Sequence, residues 1–191
     1  MSPPALAVLF SVCLVAAIAS VIVVTSYNAI VALRQRIDKA WANIDVVLKQ
    51  RHDQLPNLVA AVRGLMTFER DVLTKVTEAR AAYSPTAPIP DQAATSEATS
   101  SAVRSLFAVV ERYPDLKAEA NVQDLQDQIE RLEAMIADRR ELYNDQVYRY
   151  NTVIGQVPGV LLASILGWKV RQFFAADAAD AVRPDTGLGA T

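Results

Sequence analysis

Glycine, proline and charge are missing from the first part of this chain. Residues 5–55 contain no Gly and no Pro, and no Asp, Glu, Lys or Arg occurs before Arg34. Because Gly and Pro are the residues that most readily interrupt a helix, their absence predicts one long helix from Ala5 to Leu55. Because its first half carries no charge, that helix is predicted to begin inside a membrane and to end inside a water-soluble helix bundle.

The chain also has few of the residues that build catalytic and metal sites. Cys13 is the single cysteine and His52 the single histidine. One cysteine excludes a disulfide within the chain, and a zinc site needs several nitrogen, sulfur or carboxylate ligands. The sequence contains neither the Glu-x-x-His pair of di-iron bundles nor a glycine-rich phosphate loop. We therefore predict no catalytic residues, no metal and no cofactor, and a protein that is not an enzyme.

Composition narrows the fold class and the partners. The formal net charge is −2, which does not favour nucleic acid as a partner. The chain has only six glycines and no segment with the alternation of a half-buried strand. An all-α fold is therefore expected, with one anchor and one domain within 191 residues.

The apolar half of the long helix predicts a single membrane span. Ala5–Val24 is interrupted only by two serines, and twenty helical residues cover about 30 Å, the thickness of the hydrocarbon core. We assign residues 1–4 to a short extracytoplasmic tail and residues 5–26 to the transmembrane helix. A cleaved signal peptide is the alternative, because Ala17-Ile18-Ala19 resembles a cleavage site. No Lys or Arg precedes the apolar run, however, which favours an uncleaved anchor.

Charge beyond the span predicts the orientation. Five basic residues lie between the span and residue 51, against two acidic ones, and basic residues next to a span favour retention in the cytoplasm. They are Arg34, Arg36, Lys39, Lys49 and Arg51, against Asp38 and Asp45. The N-terminus is therefore predicted outside and the C-terminal domain inside.

Apolar residues at three-four spacing predict the helices of the soluble domain, residues 27–174. The stripe of the first helix is Ile37, Trp41, Ile44 and Leu48. Three further helices are predicted over about 56–83, 97–112 and 121–154. Asp53 is expected to cap the second, with Pro56 in its first turn and Gly64 at a close approach. The near-heptad repeat of the fourth requires a coiled-coil-like partner, from within the domain or from another subunit.

The remaining segments are predicted to be irregular, apart from one short helix. Residues 84–101 are expected to form a mobile linker rich in Pro, Ser, Thr and Ala. Residues 160–166 should form a short capping helix closed by Gly167. The aromatic side chains of Trp168, Phe173 and Phe174 would then seal one end of the bundle or contact the membrane surface. Residues 175–191 are predicted to be a disordered tail.

One group of polar residues is a candidate site. Several fall near one face of the fourth helix or could meet it across the bundle. They are Asp45, Asn57, Arg140, Tyr143, Asn144 and Asn151. The favoured interpretation is a buried hydrogen-bonded layer that fixes helix register. The alternatives are a partner-binding patch and an active site.

Several of these segments resemble the LemA family of bacterial single-pass membrane proteins. The most specific is Arg51-His52-Asp53-Gln54-Leu55-Pro56-Asn57-Leu58-Val59, and Tyr113-Pro114-Asp115, Tyr143-Asn144-Asp145 and Tyr150-Asn151-Thr152 follow it. The likeness covers nearly all of residues 27–174. It implies a single N-terminal span in the inner membrane and a cytoplasmic four-helix bundle whose long helices pack antiparallel. The family carries no agreed catalytic residues, so the resemblance assigns no site.

Two hypotheses of function follow. The first is a membrane-anchored scaffold or adaptor whose bundle binds unidentified protein partners or copies of itself. The second is a small-ligand-binding protein or enzyme that uses the polar face of Arg140, Asn144 and Asn151, and it requires a concave pocket lined by those groups. Direct membrane remodelling through the C-terminal aromatic residues is a further possibility.

Overall fold

The structure, a computed structural model, describes residues 3–63 and 70–175, and no strand occurs among them. Six helices account for most of these residues. They are α1 (Pro3–Arg63), α2 (Arg70–Ala81), α3 (Ile89–Val110), α4 (Pro114–Lys117), α5 (Ala120–Gly155) and α6 (Gly159–Leu166). The all-helical class predicted from the sequence is confirmed. Gly64 and the predicted tail beyond Ala175 lie outside the described residues.

The long helix continues further than its sequence predicts. α1 passes through Pro56 and ends at Arg63, so Asp53 does not cap a new helix there and that prediction was wrong. A proline inside a helix has no N–H for the carbonyl four residues earlier. That carbonyl belongs to His52, and it accepts a hydrogen bond of 3.4 Å from Arg80 Nε of α2 instead. A contact from a neighbouring helix thus replaces the bond that Pro56 cannot make.

The prediction of a linker over residues 84–101 was wrong for most of its length, because α3 begins at Ile89 rather than at Glu97. Pro90 lies in the first turn of α3, where a residue without an N–H loses no helical bond. The hydroxyl groups, which sequence reasoning counted as loop-forming, bond back into the helix. Thr99 Oγ1 donates to the carbonyl of Thr95 at 2.8 Å, and Ser100 Oγ lies 3.1 Å from the carbonyl oxygen of Ser96.

By its contacts the chain divides into two compact units. Unit 1 comprises Met1–Lys39 and Asp145–Arg171, and unit 2 comprises Ala40–Asn144 and Gln172–Thr191. Among the described residues, α1 is the one helix long and apolar enough to cross a membrane, and none of its apolar window is buried.

Unit 1 also contains α6. The predicted terminator of that helix is confirmed, since Gly167 has a left-handed φ of 66° and the N–H of Trp168 bonds to the carbonyl of Ala163 at 2.9 Å.

Within unit 2, α1 and α5 pack antiparallel. The rings of Trp41 and Tyr143 have centroids 5.6 Å apart, Arg139 Nη1 lies 2.7 Å from the carbonyl of Asn43, and Arg51 meets Glu133. Residue numbers thus rise along α1 as they fall along α5. The side chains with no exposed surface in unit 2 form its core. They are Ile44, Val47, Leu58, Val62, Val76, Leu106, Val110 and Ile129.

Gly159 and Gly155 give a matched test of the packing at the start of α6. A Cβ at Gly159 would collide with the backbone carbonyl oxygen of Val153, whereas a Cβ at Gly155 meets nothing. Because a backbone atom cannot rotate away, Gly159→Ala should destabilise the protein by about 1–3 kcal/mol. Gly155→Ala should be neutral or gain up to about 1 kcal/mol of helix propensity. Thermal unfolding of both variants in detergent checks this, and equal melting temperatures would contradict the close approach.

Candidate functional site

The most buried charge among the described residues of unit 2 is the guanidinium of Arg51 on α1. Only 3% of this residue is exposed. Its Nη1 atom lies 2.7 Å from Glu133 Oε1 of α5. Burying a charge is costly unless it is paired and hydrogen-bonded, so the remaining donors of Arg51 also need partners.

Two serines of α3 supply those partners. Arg51 Nη1 donates to Ser100 Oγ at 2.9 Å, and Nη2 donates to the hydroxyl and the carbonyl of Ser96 at 2.9 and 3.3 Å. Ser100 in turn donates to Glu133 Oε2 at 2.6 Å. The cluster of Arg51, Ser96, Ser100 and Glu133, here called the Arg51 cluster, therefore joins α1, α3 and α5.

Sequence reasoning missed the Arg51 cluster. Arg51 counted only as one of the basic residues that follow the span, and no partner was predicted for it. A signal was present, because Arg51 continues the stripe of Ile44 and Leu48 at the same spacing and is followed by Leu55. A charged residue at a core position of a helix implies a buried partner.

A second group joins α1 to the end of α2. The Tyr83 hydroxyl donates to Asp45 Oδ1 at 3.4 Å, and the rings of His52 and Tyr83 have centroids 4.9 Å apart. Burial raises the pKa of Tyr83 above its usual value of 10, and the nearby Asp45 carboxylate raises this pKa further. The phenol therefore stays neutral, and able to donate to Asp45, to a higher pH than an unperturbed tyrosine.

The predicted polar layer is brought together only in part. Asp45 pairs with Tyr83, and the exposed Asn57 donates to Gln54 Oε1 at 3.2 Å. These bonds connect Asp45 to a residue that follows α2 and Asn57 to its own helix. That the two residues also meet α5 stays a prediction. Arg140 is half-buried and makes no hydrogen bond within the described residues.

In unit 1, Tyr150 and Asn151 of α5 hold the backbone that follows α6. Asn151 Oδ1 accepts from the N–H of Arg171 at 2.8 Å, and Asn151 Nδ2 donates to the carbonyl of the same residue at 2.9 Å. The Tyr150 hydroxyl donates to the carbonyl of Lys169 at 3.1 Å. The Arg171 side chain reaches Asp38 of α1 at 3.3 Å.

In unit 2, Tyr143 and Asn144 form hydrogen bonds of the same kind with the backbone of Gln172 and Phe174. Asn144 Oδ1 accepts from the N–H of Phe174 at 2.8 Å, and Asn144 Nδ2 donates to its carbonyl at 3.3 Å. The Tyr143 hydroxyl donates to the carbonyl of Gln172 at 2.9 Å. The ring of Trp41 packs against Phe174 with centroids 5.8 Å apart.

These two Tyr-Asn clamps explain why the dipeptide recurs after seven residues. Residues 168–173 form no regular secondary structure, and their backbone groups need partners where they are covered. A side-chain amide that accepts from an N–H and donates to the C=O of the same residue takes the place of a neighbouring strand. Tyr143, Asn144 and Asn151 therefore hold the chain's own backbone, which supports the structural interpretation of the layer.

Of the residues that the ligand hypothesis requires, Asn151 lines a groove in the described part of the chain. The described part of unit 1 has a groove of about 300 Å³ that Asn151 lines together with mostly apolar residues, among them Ile154, Ala163 and Trp168. Both ends of the Asn151 amide are already bonded to Arg171. Within residues 3–63 and 70–175, no three His, Cys, Asp or Glu residues are grouped as metal ligands.

Arg51→Met tests the buried pair. The substitution leaves Glu133, Ser96 and Ser100 without their shared donor, and breaking a buried pair costs about 3–5 kcal/mol. Arg104→Met is the matched control, because both side chains of the Arg104–Glu97 pair are at least half exposed and such pairs contribute at most about 1 kcal/mol. Urea unfolding of the full chain in detergent measures both. A loss for Arg51→Met as small as that of the control would contradict the cluster's role.

Asn151→Asp tests the clamp in unit 1. A carboxylate can still accept from the N–H of Arg171 but cannot donate to its carbonyl, which costs about 1–3 kcal/mol. Trypsin should then cut faster after Lys169 and Arg171 in the folded protein. Asn121→Asp, an exposed amide at the start of α5, is the control and should leave the cleavage rate unchanged. Equal rates for both variants would show that the amide does not hold this segment.

Comparison with known proteins places the chain in a family. A search of curated proteins finds no match. The model of the LemA family matches residues 40–186, which include the Arg51 cluster and both Tyr-Asn clamps. LemA is not known as a family of enzymes. Since the match covers well over half of the 191 residues, the chain belongs to the LemA family.

Proposed function

We propose that this protein is a membrane-anchored helical scaffold or adaptor of the bacterial inner membrane. Its domain binds protein partners, or copies of itself, at the cytoplasmic face. The observation that carries the proposal is the composition of α1. One helix contains both an apolar window without any buried residue and the core residues Ile44 to Val62 of unit 2. Membership of the LemA family and this apolar helix both fit a membrane-associated protein.

Unit 2 is proposed to be an antiparallel four-helix bundle of α1, α2, α3 and α5. The antiparallel contacts of α1 with α5 support this arrangement. The contacts of α1 with α2 and with the residues that follow it indicate that α2 also runs antiparallel to α1. Asp45 meets Tyr83, whereas His52, further along α1, meets the earlier residue Arg80. The Arg51 cluster connects α3 to both long helices.

Charge next to the span supports the cytoplasmic placement of the domain. Arg51 no longer counts toward this argument, since its guanidinium is buried in unit 2. Arg36, Lys39 and Lys49 of α1 remain exposed, and basic residues close to a span favour the cytoplasmic side.

The surface proposed for partner binding is marked by two apolar side chains of unit 2. Val46 of α1 is 52% exposed and Leu142 of α5 is 61% exposed. They lie one turn to either side of the bond between Asn43 and Arg139, on helices that run antiparallel. Two exposed apolar side chains on adjacent helices offer a small contact patch, the Val46–Leu142 patch.

Photo-crosslinking in cells tests this proposal. A benzophenone amino acid at Val46 or at Leu142 should give the same specific product from both positions. The matched controls are Asp53 and Asp138, exposed residues of the same two helices, which should give none. A product of twice the chain's mass identifies self-association, and another mass identifies a partner. Products from all four positions, or from none of them, would contradict the Val46–Leu142 patch.

In the part of the chain that the structure describes, no contact favours the ligand or enzyme hypothesis. It depends on Arg140, Asn144 and Asn151 acting on a bound molecule. The two asparagines use their amides on the backbone of Phe174 and Arg171.

A further inference from the structure

α6 of unit 1 has an apolar face that nothing in the described structure covers. Its small residues Gly159 and Ala163 are buried, whereas its large residues other than Leu162 are exposed. Leu161 is 60% exposed and Ile165 is 80% exposed. The other exposed apolar residues of this stretch are Val157, Val160, Leu166 and Val170. A contiguous exposed apolar face of this kind usually marks a contact with a protein or a membrane.

Trp168, the aromatic residue that follows α6, is already in contact with α1. The ring of Trp168 lies 5.7 Å from the ring of Tyr27, between ring centroids, and the Arg34 guanidinium lies 5.5 Å from the Trp168 centroid. Trp168 therefore fastens the end of α6 to α1 through ring and cation–π contacts. The aliphatic face of α6, and not this aromatic residue, is the surface left for a partner.

The contacts of α6 also show at which residue of α1 the two helices meet, here called the level of α6 along α1. A Cβ at Gly159 would lie 3.5 Å from Ile30 Cδ1, and Trp168 lies between Tyr27 and Arg34. Both ends of α6 thus meet α1 near Ile30, although the eight residues of α6 cover about 12 Å. α6 therefore crosses α1 instead of running along it.

That level lies just beyond the interfacial layer of a membrane spanned by α1. Ile30 is six residues beyond Val24, where the apolar run ends, which is a rise of about 9 Å. Headgroup and interfacial layers extend roughly 5–8 Å beyond the hydrocarbon core on each side. Side chains of a helix that crosses α1 at Ile30 can reach this layer.

Charge in unit 1 matches an anionic lipid surface. The unit contains six Lys or Arg residues and two acidic residues, a formal charge of +4, whereas the whole chain is −2. Arg34, Arg36 and Lys169 belong to the segments next to α6. Basic residues near an anionic bilayer surface contribute about 1 kcal/mol each to its attraction.

We propose that α6 is an interfacial membrane helix. Its Leu161–Ile165 face enters the lipid beside the α1 span, and the basic residues of unit 1 lie against anionic headgroups. This inference rests on the membrane anchor of the proposed function and adds a second membrane contact to it. Lipid is the expected occupant because the apolar face of α6 lies in the same unit as the exposed apolar window of α1, about 9 Å beyond the end of the apolar run along the helix.

The test places an environment-sensitive NBD fluorophore on single cysteines. Wild-type Cys13 reports on the span itself, since it is the only cysteine. In a Cys13→Ser background, Leu161→Cys and Ile165→Cys report on α6. Leu142→Cys in unit 2 is the matched control, because Leu142 is as exposed as Leu161, at 61% and 60%. The full chain is placed in nanodiscs of phosphatidylcholine and phosphatidylglycerol, at one copy per disc.

A blue-shifted emission at positions 161 and 165, quenched by nitroxide-labelled lipids, with water-like emission at position 142, is the expected result. Water-like emission at 161 and 165 together with a lipid signal at Cys13 would overturn the inference and leave the anchor standing. Water-like emission at Cys13 as well would overturn the anchor and the inference together. A shift at 161 and 165 that requires two copies per disc would assign the α6 face to a second copy and overturn its contact with lipid.

Discussion

The buried guanidinium of Arg51 is the constraint on which unit 2 depends. A charge that is 97% covered must be neutralised and its donors must be bonded, and here one carboxylate and two serine residues meet that requirement. The partners come from α3 and α5, so the positions of three helices follow from a single side chain. An apolar core sets the register of its helices by packing alone, whereas the Arg51 cluster adds hydrogen bonds that depend on the register of all three helices.

Elsewhere in the molecule, too, side chains bond to backbone groups that would otherwise lack a partner. Pro56 leaves the carbonyl of His52 unbonded within α1, and Arg80 of α2 uses that carbonyl. Asn144 and Asn151 give an irregular segment the hydrogen bonds that it lacks. Polar residues that a search for chemistry would single out thus determine how the helices and the C-terminal segment pack. Because these polar side chains are used within the fold, they support the proposal that the protein acts by binding partners at its surface.

Sequence reasoning succeeded where local chemistry decides the outcome. The spacing of Val122 to Ile154 predicted α5 to within one residue at each end, and Gly167 ended α6 as expected.

Sequence reasoning failed where a partner distant in sequence decides the structure. Pro56 was interpreted as a helix start because its replacement donor, Arg80, is 24 residues away. The hydroxyls of Ser96 and Ser100 were assigned to a linker, because nothing local shows that they face Arg51. The clamps of Asn144 and Asn151 were predicted as a layer, but their target, the backbone of residues 171–174, could not be seen in the sequence.

A double-mutant cycle on Arg51 and Glu133 tests the central claim most directly. The free energies of unfolding of Arg51→Met, Glu133→Gln and the double variant are compared with that of the wild type. A shared buried interaction predicts that the double variant loses less than the sum of the single losses, with a coupling energy of at least about 1 kcal/mol. Losses that add to within about 0.3 kcal/mol would show that the two residues act independently, and would contradict the role of this pair in fixing the helices.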